Sequence, residues 1–500
     1  MPYRVGREGR EEHWEPHAGM VLSATRHDAI FPGSTGAGDR RLQAYCYRLC
    51  VTQRPELRLP FPAPSAYRRA DYAPILRALQ QGRVRRLLDV MHLGRERLRV
   101  NGKADVILNV PGAADAWPEA DEAGRAAIAR RHREYSLGLF YLLQHDDLPV
   151  PPAVREEARS WGLAADEFAD NGNWPYELYV REARRIVGRA TATEHDFLRE
   201  PGAERAPLHE DAVAVADYVL DSHATRYWPE APYEEGHLNL SATHPGQVRY
   251  GSLVPVDAGG AAVPGLLVPV ALSSTHLGFA AIRMEPVWMA LGAAAGAAAH
   301  LALAAGTLPD ALPVDRLQAE LARHDHRLGF FHDVPLDLHS PGTQFFATKR
   351  FFDSAYARPG ESVSRSEAVR WLARCLDLAG RGPGGAGPAA AVPVYPDVPA
   401  GHADAAAVGR LHRLGVVDGW LESAAFCPTA ALRRCDAERW LARLAALLAT
   451  GAAPPPAAAL PAPEQPYAPV GRAALCDALF GLLYPPPAPD GGGGVVRPAE

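Results

Sequence analysis

The chain has 500 residues, enough for roughly two or three domains, and its 47 % hydrophobic and 22 % charged residues match a soluble globular protein. A formal net charge of -6, with no long lysine or arginine run, argues against a nucleic-acid partner. The six cysteines include neither a C-x-x-C pair nor a ferredoxin-like run, so their spacing gives no support for an iron–sulfur cluster.

Residues 1–110 predict mixed strands and loops. The chain runs from Met1 straight into charged residues, so no signal peptide opens it. It also lacks the strand, G-x-G-x-x-G turn and helix of a dinucleotide-binding domain, since the glycine-rich residues 33–38 have the wrong spacing and predict a loop. Cys46 and Cys50 would lie one turn apart on a helix, which favours structural thiols over a redox pair and leaves the compartment undecided.

Helical periodicity begins beyond this region. Residues 120–165 predict helices, and residues 122–143 combine a charged face with an apolar one. A loop at residues 171–175 precedes another predicted helix. This helix carries three arginines, Arg181, Arg184 and Arg185. The cluster fits two interpretations, solvated or salt-bridged side chains on the one hand and binding of an anion or a substrate on the other.

The stretch from residue 265 to residue 303 organises the rest of the chain. Its first part, residues 266–272, is an apolar run of the length of a buried strand, although Pro269 would interrupt a ladder. A polar turn at residues 273–276 follows, and Pro286 has the position of the first residue of a helix. Free N–H groups at a helix start carry partial positive charge, so this pattern suits an anionic or electron-rich ligand such as a reduced flavin.

The helix after Pro286 consists largely of small residues. Gly292 and Gly296 lie four apart on one face, where the missing side chains would let a strand or a cofactor ring approach the backbone. An ordinary buried helix without a ligand is one alternative. A membrane span over residues 287–305 is another, but the segment is alanine and glycine rather than leucine and isoleucine and contains His300. We therefore expect no transmembrane segment.

Residues 266–299 closely resemble the carboxy-terminal flavin-contacting segment of a bacterial family of FAD-dependent oxidoreductases. Their sequence is LLVPVALSSTHLGFAAIRMEPVWMALGAAAGAAA. These proteins are related to the A component of heterodisulfide reductase and are sometimes labelled xanthan lyase-like. The resemblance extends upstream through residues 250–255, 178–185, 171–175, 43–50 and 5–8.

This resemblance implies an α/β fold of the FAD/NAD(P)-binding flavoprotein type, FAD as cofactor and a small-molecule substrate. Residues 5–8 resemble an interior block of the family, which implies that the fold is truncated at its N-terminus and lacks the dinucleotide-binding half. A signal peptide could have been lost with that half. Without residues for the pyrophosphate, this chain alone is expected to bind FAD poorly or not at all.

The resemblance also directs attention to particular side chains. His276 could exchange a proton during hydride transfer, and Arg283 could neutralise charge on a substrate or on reduced flavin. The ordinary alternatives are a hydrogen-bonded turn histidine and a salt bridge from Arg283 to Glu285. The residues expected to bind the cofactor are Ser274, Thr275, Glu285, Pro286, Gly292 and Gly296.

One group of metal-ligand residue types occurs later in the chain. His324, Asp325 and His326 are adjacent, but a metal site needs three or four ligands at fixed geometry, and these three residues predict a polar helix exit instead. The sequence therefore predicts no metal site.

The last third of the chain contains an internal repeat. Residues 331–335, Phe-His-Asp-Val-Pro, recur as Tyr-Pro-Asp-Val-Pro at residues 395–399, and residues 365–374 recur at 434–443. Each copy predicts an Asp-Val-Pro start, a helix, a loop and a second amphipathic helix.

These copies resemble S-layer homology repeats, in which a Thr-Arg-Ala-Glu-like motif helps to bind an anionic cell-wall polymer. The motif stands here as Ser-Arg-Ser-Glu at 364–367 and Arg-Arg-Cys-Asp at 433–436, while a vestigial third copy at 471–474 keeps the arginine and loses the acid. A degenerate helical docking domain is the competing interpretation. If the repeats bind polymer and a signal peptide was lost upstream, the implied localisation is the cell envelope or extracytoplasmic.

These patterns divide the chain into five predicted parts. They are a partial oxidoreductase domain at 1–328, a first repeat at 329–379, a Gly/Pro linker at 380–394, a second repeat at 395–449, and a Pro/Gly-rich end with the vestigial third repeat and a disordered tail at 450–500.

Two functional hypotheses follow. The first is an FAD-dependent oxidoreductase that transfers a hydride between an organic substrate, with a carbohydrate as one candidate, and the flavin. The second is a cell-wall-associated binding protein whose oxidoreductase portion is inactive. An in-frame G-x-G-x-x-G upstream of Met1 would favour the enzyme.

Overall fold

The computed structural model describes residues 1–23, 30–80, 89–93, 97–101, 108–147, 150–227, 234–240, 244–380, 395–420, 423–449, 460 and 465–486. The chain forms two compact units. The first comprises Met1–Phe197, Asp217–Thr243 and Gly251–Trp288, and the second comprises Leu198–Ala216, His244–Tyr250 and Met289–Glu500. The predicted linker at 381–394, most of the proline-rich segment after residue 449 and the glycine-rich tail lie outside the described residues.

Short strands and a few helices build the first unit. Its strands are β1 (Tyr3–Arg4), β2 (Leu22–Ser23), β3 (Cys50–Thr52), β4 (Arg58–Leu59), β5 (Asp89–Leu93), β6 (Arg97–Asn101), β7 (Gly162–Ala164), β8 (Arg185–Ile186), β10 (Leu220–Ser222), β11 (Arg226–Tyr227), β12 (Glu234–Glu235) and β13 (Leu238–Leu240). Its helices are α1 (Arg10–His13), α2 (Ala73–Gln80), α3 (Glu122–Gln144), α4 (Pro152–Ser160) and α5 (His276–Ile282).

The largest sheet in the described residues has five strands in the order β4-β7-β3-β6-β5, and every ladder in it is antiparallel. Helix α3 supplies much of the adjacent core. Asp121 caps its N-terminus by accepting a 2.8 Å hydrogen bond from the Gly124 N–H. Its first half is largely exposed, whereas Leu139, Phe140 and Leu143 in its second half are fully buried. The predicted helix at residues 122–143 is therefore confirmed.

The second unit is mainly helical. Its strands β9 (Ala212–Ala216) and β14 (Gly246–Arg249) pair antiparallel. Its helices are α7 (Val314–Arg323), α8 (Pro341–Ala347), α9 (Arg365–Leu378), α10 (Ala405–Arg413), α11 (Arg434–Leu448) and α12 (Arg472–Leu483). Helix α6 (Glu285–Ala305) begins in the first unit, and its residues from Met289 onward belong to the second. The mixed helix and sheet content agrees with the expected α/β class at this coarse level.

Three segments of the second unit form a closed ring of backbone hydrogen bonds. Leu432 N–H donates to the Val363 carbonyl at 2.8 Å, Val363 N–H donates to the Val470 carbonyl at 2.9 Å, and Val470 N–H donates to the Leu432 carbonyl at 3.0 Å. Helices α9, α11 and α12 each begin two residues after a member of this ring. The segment that the sequence marked as a vestigial third copy thus occupies a position equivalent to the other two.

Helix α6 is the feature that bears on membrane association. Among the described residues it alone is long and apolar enough to cross a bilayer, and 28 % of its most apolar window is buried. Length and composition by themselves do not make a helix a membrane span.

Three local predictions were wrong. Residues 266–272 form no strand, because Pro269 cannot donate to a ladder and the run is partly exposed, 39 % at Leu266 and 46 % at Val270. Cys46 is not helical but bridges Tyr179 in an extended segment, and Cys50 begins β3. Both thiols are buried.

The third wrong prediction concerns the arginine cluster. Residues 176–184 are extended rather than helical, and Arg185 begins β8. In extended backbone, side chains that are close in sequence point to different sides, so the three arginines need not share an environment.

Candidate functional site

Helix α5 carries the predicted reaction residue at its start. Thr275 caps this helix, because its hydroxyl oxygen accepts a 3.0 Å hydrogen bond from the Gly278 N–H. The sequence predicted a turn over residues 273–276, whereas His276 is already the first helical residue. The Glu8 carboxylate accepts a 2.7 Å hydrogen bond from the His276 backbone N–H, so an acid satisfies the free donor at this helix start.

The His276 imidazole is held from both sides. Its Nε2 lies 2.8 Å from the Ser222 hydroxyl at the end of β10, and its Nδ1 lies 2.7 Å from a carboxylate oxygen of Glu182. The second contact has the distance of an ion pair, although the oxygen lies off the direction of a ring N–H. The imidazole is 4 % exposed, so this arrangement is buried.

The Ser222 hydroxyl connects the ring to the neighbouring backbone. It lies 2.9 Å from the Gly236 carbonyl and 2.8 Å from His276 Nε2. The opposite ring nitrogen, Nδ1, faces the Glu182 carboxylate. The imidazole is therefore placed between a hydroxyl and a carboxylate.

The Glu182 carboxylate is buried yet ionised. Burial raises its pKa, but the positive charges of His276 and Arg185 outweigh burial and lower the pKa to about 2. Arg185 donates to Glu182 at 2.8 Å and to Glu8 at 2.9 Å. A chain of alternating charges therefore runs from Glu8 through Arg185 and Glu182 to His276.

Arg283 follows α5 and is fixed by the same strand that holds His276. Its guanidinium donates to the Asp221 carboxylate at 2.7 Å and to the Asp221 carbonyl at 2.9 Å. The predicted salt bridge to Glu285 is not the pair that forms. Because Asp221 and Ser222 are consecutive, β10 holds the two predicted reaction residues through adjacent positions.

The predicted cofactor residues have different surroundings. Thr275 is used as a cap and also donates to Glu15 at 2.7 Å. Glu285 and Pro286 are exposed at the start of α6. A Cβ added at Gly292 or Gly296 would meet no atom within 4 Å, so nothing in this structure approaches the backbone there. The sequence predicted that a strand or a cofactor ring would approach the backbone on this face, and no strand among the described residues does so.

Ser274 fits a ligand better than the other predicted residues. Its hydroxyl is fully buried and has no hydrogen-bond partner. The Ser252 hydroxyl is likewise buried and has no hydrogen-bond partner among the described residues. The two serines are close along the backbone, because the Ser252 carbonyl accepts a 2.9 Å hydrogen bond from the N–H of Ser273, the residue before Ser274. Buried polar atoms normally find partners. Two buried hydroxyls without partners among the described residues are donors that suit a flavin ring, whose carbonyl oxygens and nitrogens accept hydrogen bonds.

Sequence reasoning missed the residues that hold His276 and Arg283. Glu8 and Glu182 stand in blocks 5–8 and 178–185, which carried the family resemblance and were the available signal. Nothing in the sequence pointed to Asp221 or Ser222, because their role depends on the placement of β10 beside α5.

The predicted polar helix exit is confirmed. Helix α7 ends at Arg323, and Asp325 has a left-handed backbone with φ of 58°. His324 contacts Glu320, and His326 Nε2 contacts the Val213 carbonyl at 2.7 Å. No group of three or more metal-ligating side chains occurs in the described part of the chain.

Comparison with known proteins adds one finding. The sequence model of a family described as FAD dependent oxidoreductase matches residues 1–321, which include every residue of this site. No curated protein and no solved structure matches the chain.

Proposed function

Because the chain belongs to the FAD-dependent oxidoreductase family, we propose that it transfers a hydride between a small organic substrate and FAD, with His276 and Arg283 at the reaction site. The enzyme class and the cofactor follow from the family. The observation that carries the residue assignment is that the buried Arg283 guanidinium and the buried His276 imidazole are held by Asp221 and Ser222, consecutive residues of β10.

The protein residues would act through charge and proton position. Two fixed positive groups in a buried site stabilise negative charge on a ligand more strongly than they would in water. His276 would exchange a proton through the Ser222 hydroxyl, which is the group its Nε2 faces. Glu182 keeps the imidazole oriented, and Arg185 and Gln43 in turn hold Glu182. When bound, FAD supplies the hydride acceptor or donor.

The residues that would hold the flavin are those with unsatisfied donors. Ser252 and Ser274 offer buried hydroxyls. Glu285 and Pro286 lie exposed at the start of α6, but Pro286 has no N–H and the Val287 and Trp288 N–H groups donate to the Met284 carbonyl, so their support is the sequence resemblance. Thr275 is excluded from this set, because capping α5 and binding Glu15 use its hydroxyl.

Flavin retention is the first test. The chain, and a version extended through the upstream reading frame, would be incubated with FAD, separated from free flavin and examined by visible absorbance. We expect a retained FAD spectrum in the extended protein and a weak one or none in this chain, which has no G-x-G-x-x-G turn. Loss of the spectrum in both proteins would refute the proposed activity.

The role of His276 can be tested without knowing the substrate. In whichever protein retains FAD, His276→Gln removes a positive charge, so the midpoint potential of the bound flavin should fall by on the order of 30 mV. Arg184→Gln is the matched control, because its side chain is 47 % exposed and pairs with Glu119 at 3.3 Å. An unchanged potential in His276→Gln would remove His276 from the reaction site.

The anionic wall polymer remains a separate proposal for the second unit. Its support is the sequence resemblance, because the motif arginines already have intrachain partners. Arg365 binds Asp436 at 2.9 Å, Arg434 binds Glu438 at 2.7 Å, and Arg472 binds Glu367. Sedimentation of the purified protein with isolated bacterial cell walls tests the proposal, and recovery of all the protein in the supernatant would refute it.

A further inference from the structure

The three neighbouring arginines have three different environments. Arg184 is 47 % exposed and pairs with Glu119. Arg185 is fully buried between two carboxylates, those of Glu8 and Glu182. Arg181 is 1 % exposed, and across the ranges that the structure describes no carboxylate lies within ion-pair distance of it. One guanidinium of the three is thus buried without a counterion.

The hydrogen-bond partners of Arg181 in the described residues include no carboxylate. Its Nη1 donates to the Ala44 carbonyl, and its Nη2 donates to the Asn109 side-chain oxygen at 3.1 Å and lies 3.5 Å from the Cys46 sulfur. Its Nε has no partner. Its guanidinium also lies 5.3 Å from the centre of the Tyr179 ring. Buried charges are normally paired, because neutral acceptors do not replace the hydration that a cation loses.

The surroundings of Arg181 add positive rather than negative charge. Arg48 lies over the same Tyr179 ring at 4.1 Å. Burial lowers the pKa of Arg181, and Arg283 and Arg48 act in the same direction. Cys46 and, to a smaller extent, Asp221 oppose this lowering, and Asp221 is already 2.7 Å from Arg283.

The histidine in this region is neutral. Burial and then the charge of Arg181 lower the pKa of His223 to about 3. Because Arg181 can only donate, the Asn109 oxygen faces it and the Asn109 amide donates to His223 Nδ1 at 3.1 Å. The His223 Nε2 then carries the proton and faces Asp221 at 3.3 Å.

We propose that the region where Arg48 and Arg181 lie over the Tyr179 ring binds an oxyanion, a carboxylate or a phosphate group, carried by the substrate. The missing counterion of Arg181 is the reason, and a guanidinium fork binds either group through paired N–H donors. Arg48 and Tyr179 are half-buried, so they form the side of this region nearest solvent. That the oxyanion belongs to a substrate rests on the proposed function, whereas binding of the oxyanion itself does not require flavin.

The test is thermal unfolding of the purified, flavin-free chain at constant ionic strength, with chloride replaced by acetate or by inorganic phosphate. At about ten times the dissociation constant the oxyanion should raise the melting temperature by roughly 3 °C. Arg181→Met should abolish this rise and, in chloride, melt at the wild-type temperature or above it, because it removes an uncompensated buried charge. If Arg181 had only a structural role, Arg181→Met would melt lower in chloride.

Arg185→Met is the matched control, since it removes an equally buried arginine that has two carboxylate partners. It should melt lower in chloride and keep the oxyanion-dependent rise. Arg48→Gln, at a half-buried position, keeps the test decisive if a buried variant fails to fold, and it should shrink the rise. No rise with either anion in the wild type, or an undiminished rise in Arg181→Met or Arg48→Gln, would overturn the proposal.

Competition identifies the source of the oxyanion. The competition is run in whichever protein retains FAD. If saturating FAD leaves the acetate or phosphate effect intact there, the oxyanion site belongs to the substrate. If FAD eliminates the effect, the site holds a cofactor phosphate and the assignment to a substrate is overturned. The flavin-free measurement stands in both cases, so its failure is distinguishable from failure of the proposed FAD activity.

Discussion

At the residue scale, Glu15 shows how burial controls the charge of a side chain. One carboxyl oxygen accepts 2.7 Å hydrogen bonds from the Glu194 N–H and the Thr275 hydroxyl, while the other oxygen has no partner. Burial raises the pKa of Glu15 to about 8, and the two hydrogen bonds lower it only in part. The neutral acid is therefore the form that the fold accommodates.

The sign of the resulting pH dependence follows from proton binding. Between pH 4.5, the unfolded pKa, and pH 8 the folded state holds a proton on Glu15 that the unfolded state has lost. The free energy of unfolding therefore falls as pH rises through this window, with a full cost on the order of 5 kcal/mol above pH 8.

Glu15→Gln should remove this dependence, because the amide keeps the shape of the neutral acid and cannot ionise. We expect melting curves of the wild type and the variant to coincide near pH 5 and the variant to melt several degrees higher near pH 9. Differential scanning calorimetry at both pH values measures the difference. Equal pH dependence in the two proteins would mean that Glu15 titrates normally.

At the element scale, glycines in α5 and α6 have opposite functions. A Cβ at Gly278 would lie 2.3 Å from the Ala192 carbonyl oxygen. The missing side chain therefore lets α5 pack closely against the backbone at Ala192. A Cβ at Gly292 in α6 would meet no atom within 4 Å. The same residue type is required in one helix and weakens the other.

Alanine substitutions separate these two cases. Gly278→Ala should destabilise the first unit by about 1–3 kcal/mol or more, because the clash is with backbone. Gly292→Ala should stabilise α6 by about 0.8–1 kcal/mol through helix propensity. Chemical denaturation measures both changes. A stabilised Gly292→Ala variant that loses FAD retention would show that the cofactor approaches this face, as the sequence predicted.

At the whole-molecule scale, the ring at Val363, Leu432 and Val470 links three distant segments of the second unit. Arginines run between neighbouring members of the ring in a cyclic order. Arg365 of α9 reaches Asp436 of α11, and Arg472 of α12 reaches Glu367 of α9. The third segment has alanine where its acid would be, and Arg434 binds Glu438 of its own helix instead.

This arrangement predicts a large effect of removing the last helix. Ending the chain at residue 449 leaves the Val363 N–H and the Leu432 carbonyl without their partners in the ring and removes α12 from α8 and α9. We expect the second unit to lose its cooperative transition and to be cleaved readily in limited proteolysis. Ending the chain at residue 486 is the control, because it retains every contact named here. Wild-type protease resistance in the shorter protein would contradict the importance of the ring.

The prediction from sequence was most successful for long periodic segments. The helix over residues 122–143 and the apolar helix after Pro286 appear close to their expected bounds, because their patterns span many turns. The expected strand over 266–272 and the helix around Arg181 do not, since short runs contain too little pattern to outweigh tertiary packing.

The sequence by itself determined the family and the cofactor class, and it singled out His276 and Arg283 as candidates. A family is identified by matching residues along the chain, which requires no knowledge of the geometry. Only the tertiary structure decided that β10 holds both residues through Asp221 and Ser222, and that Arg181 is buried without a counterion while Arg185 has two. The physical reason is that charge pairing and burial depend on distances between segments far apart in the chain, and spacing along one segment does not contain those distances.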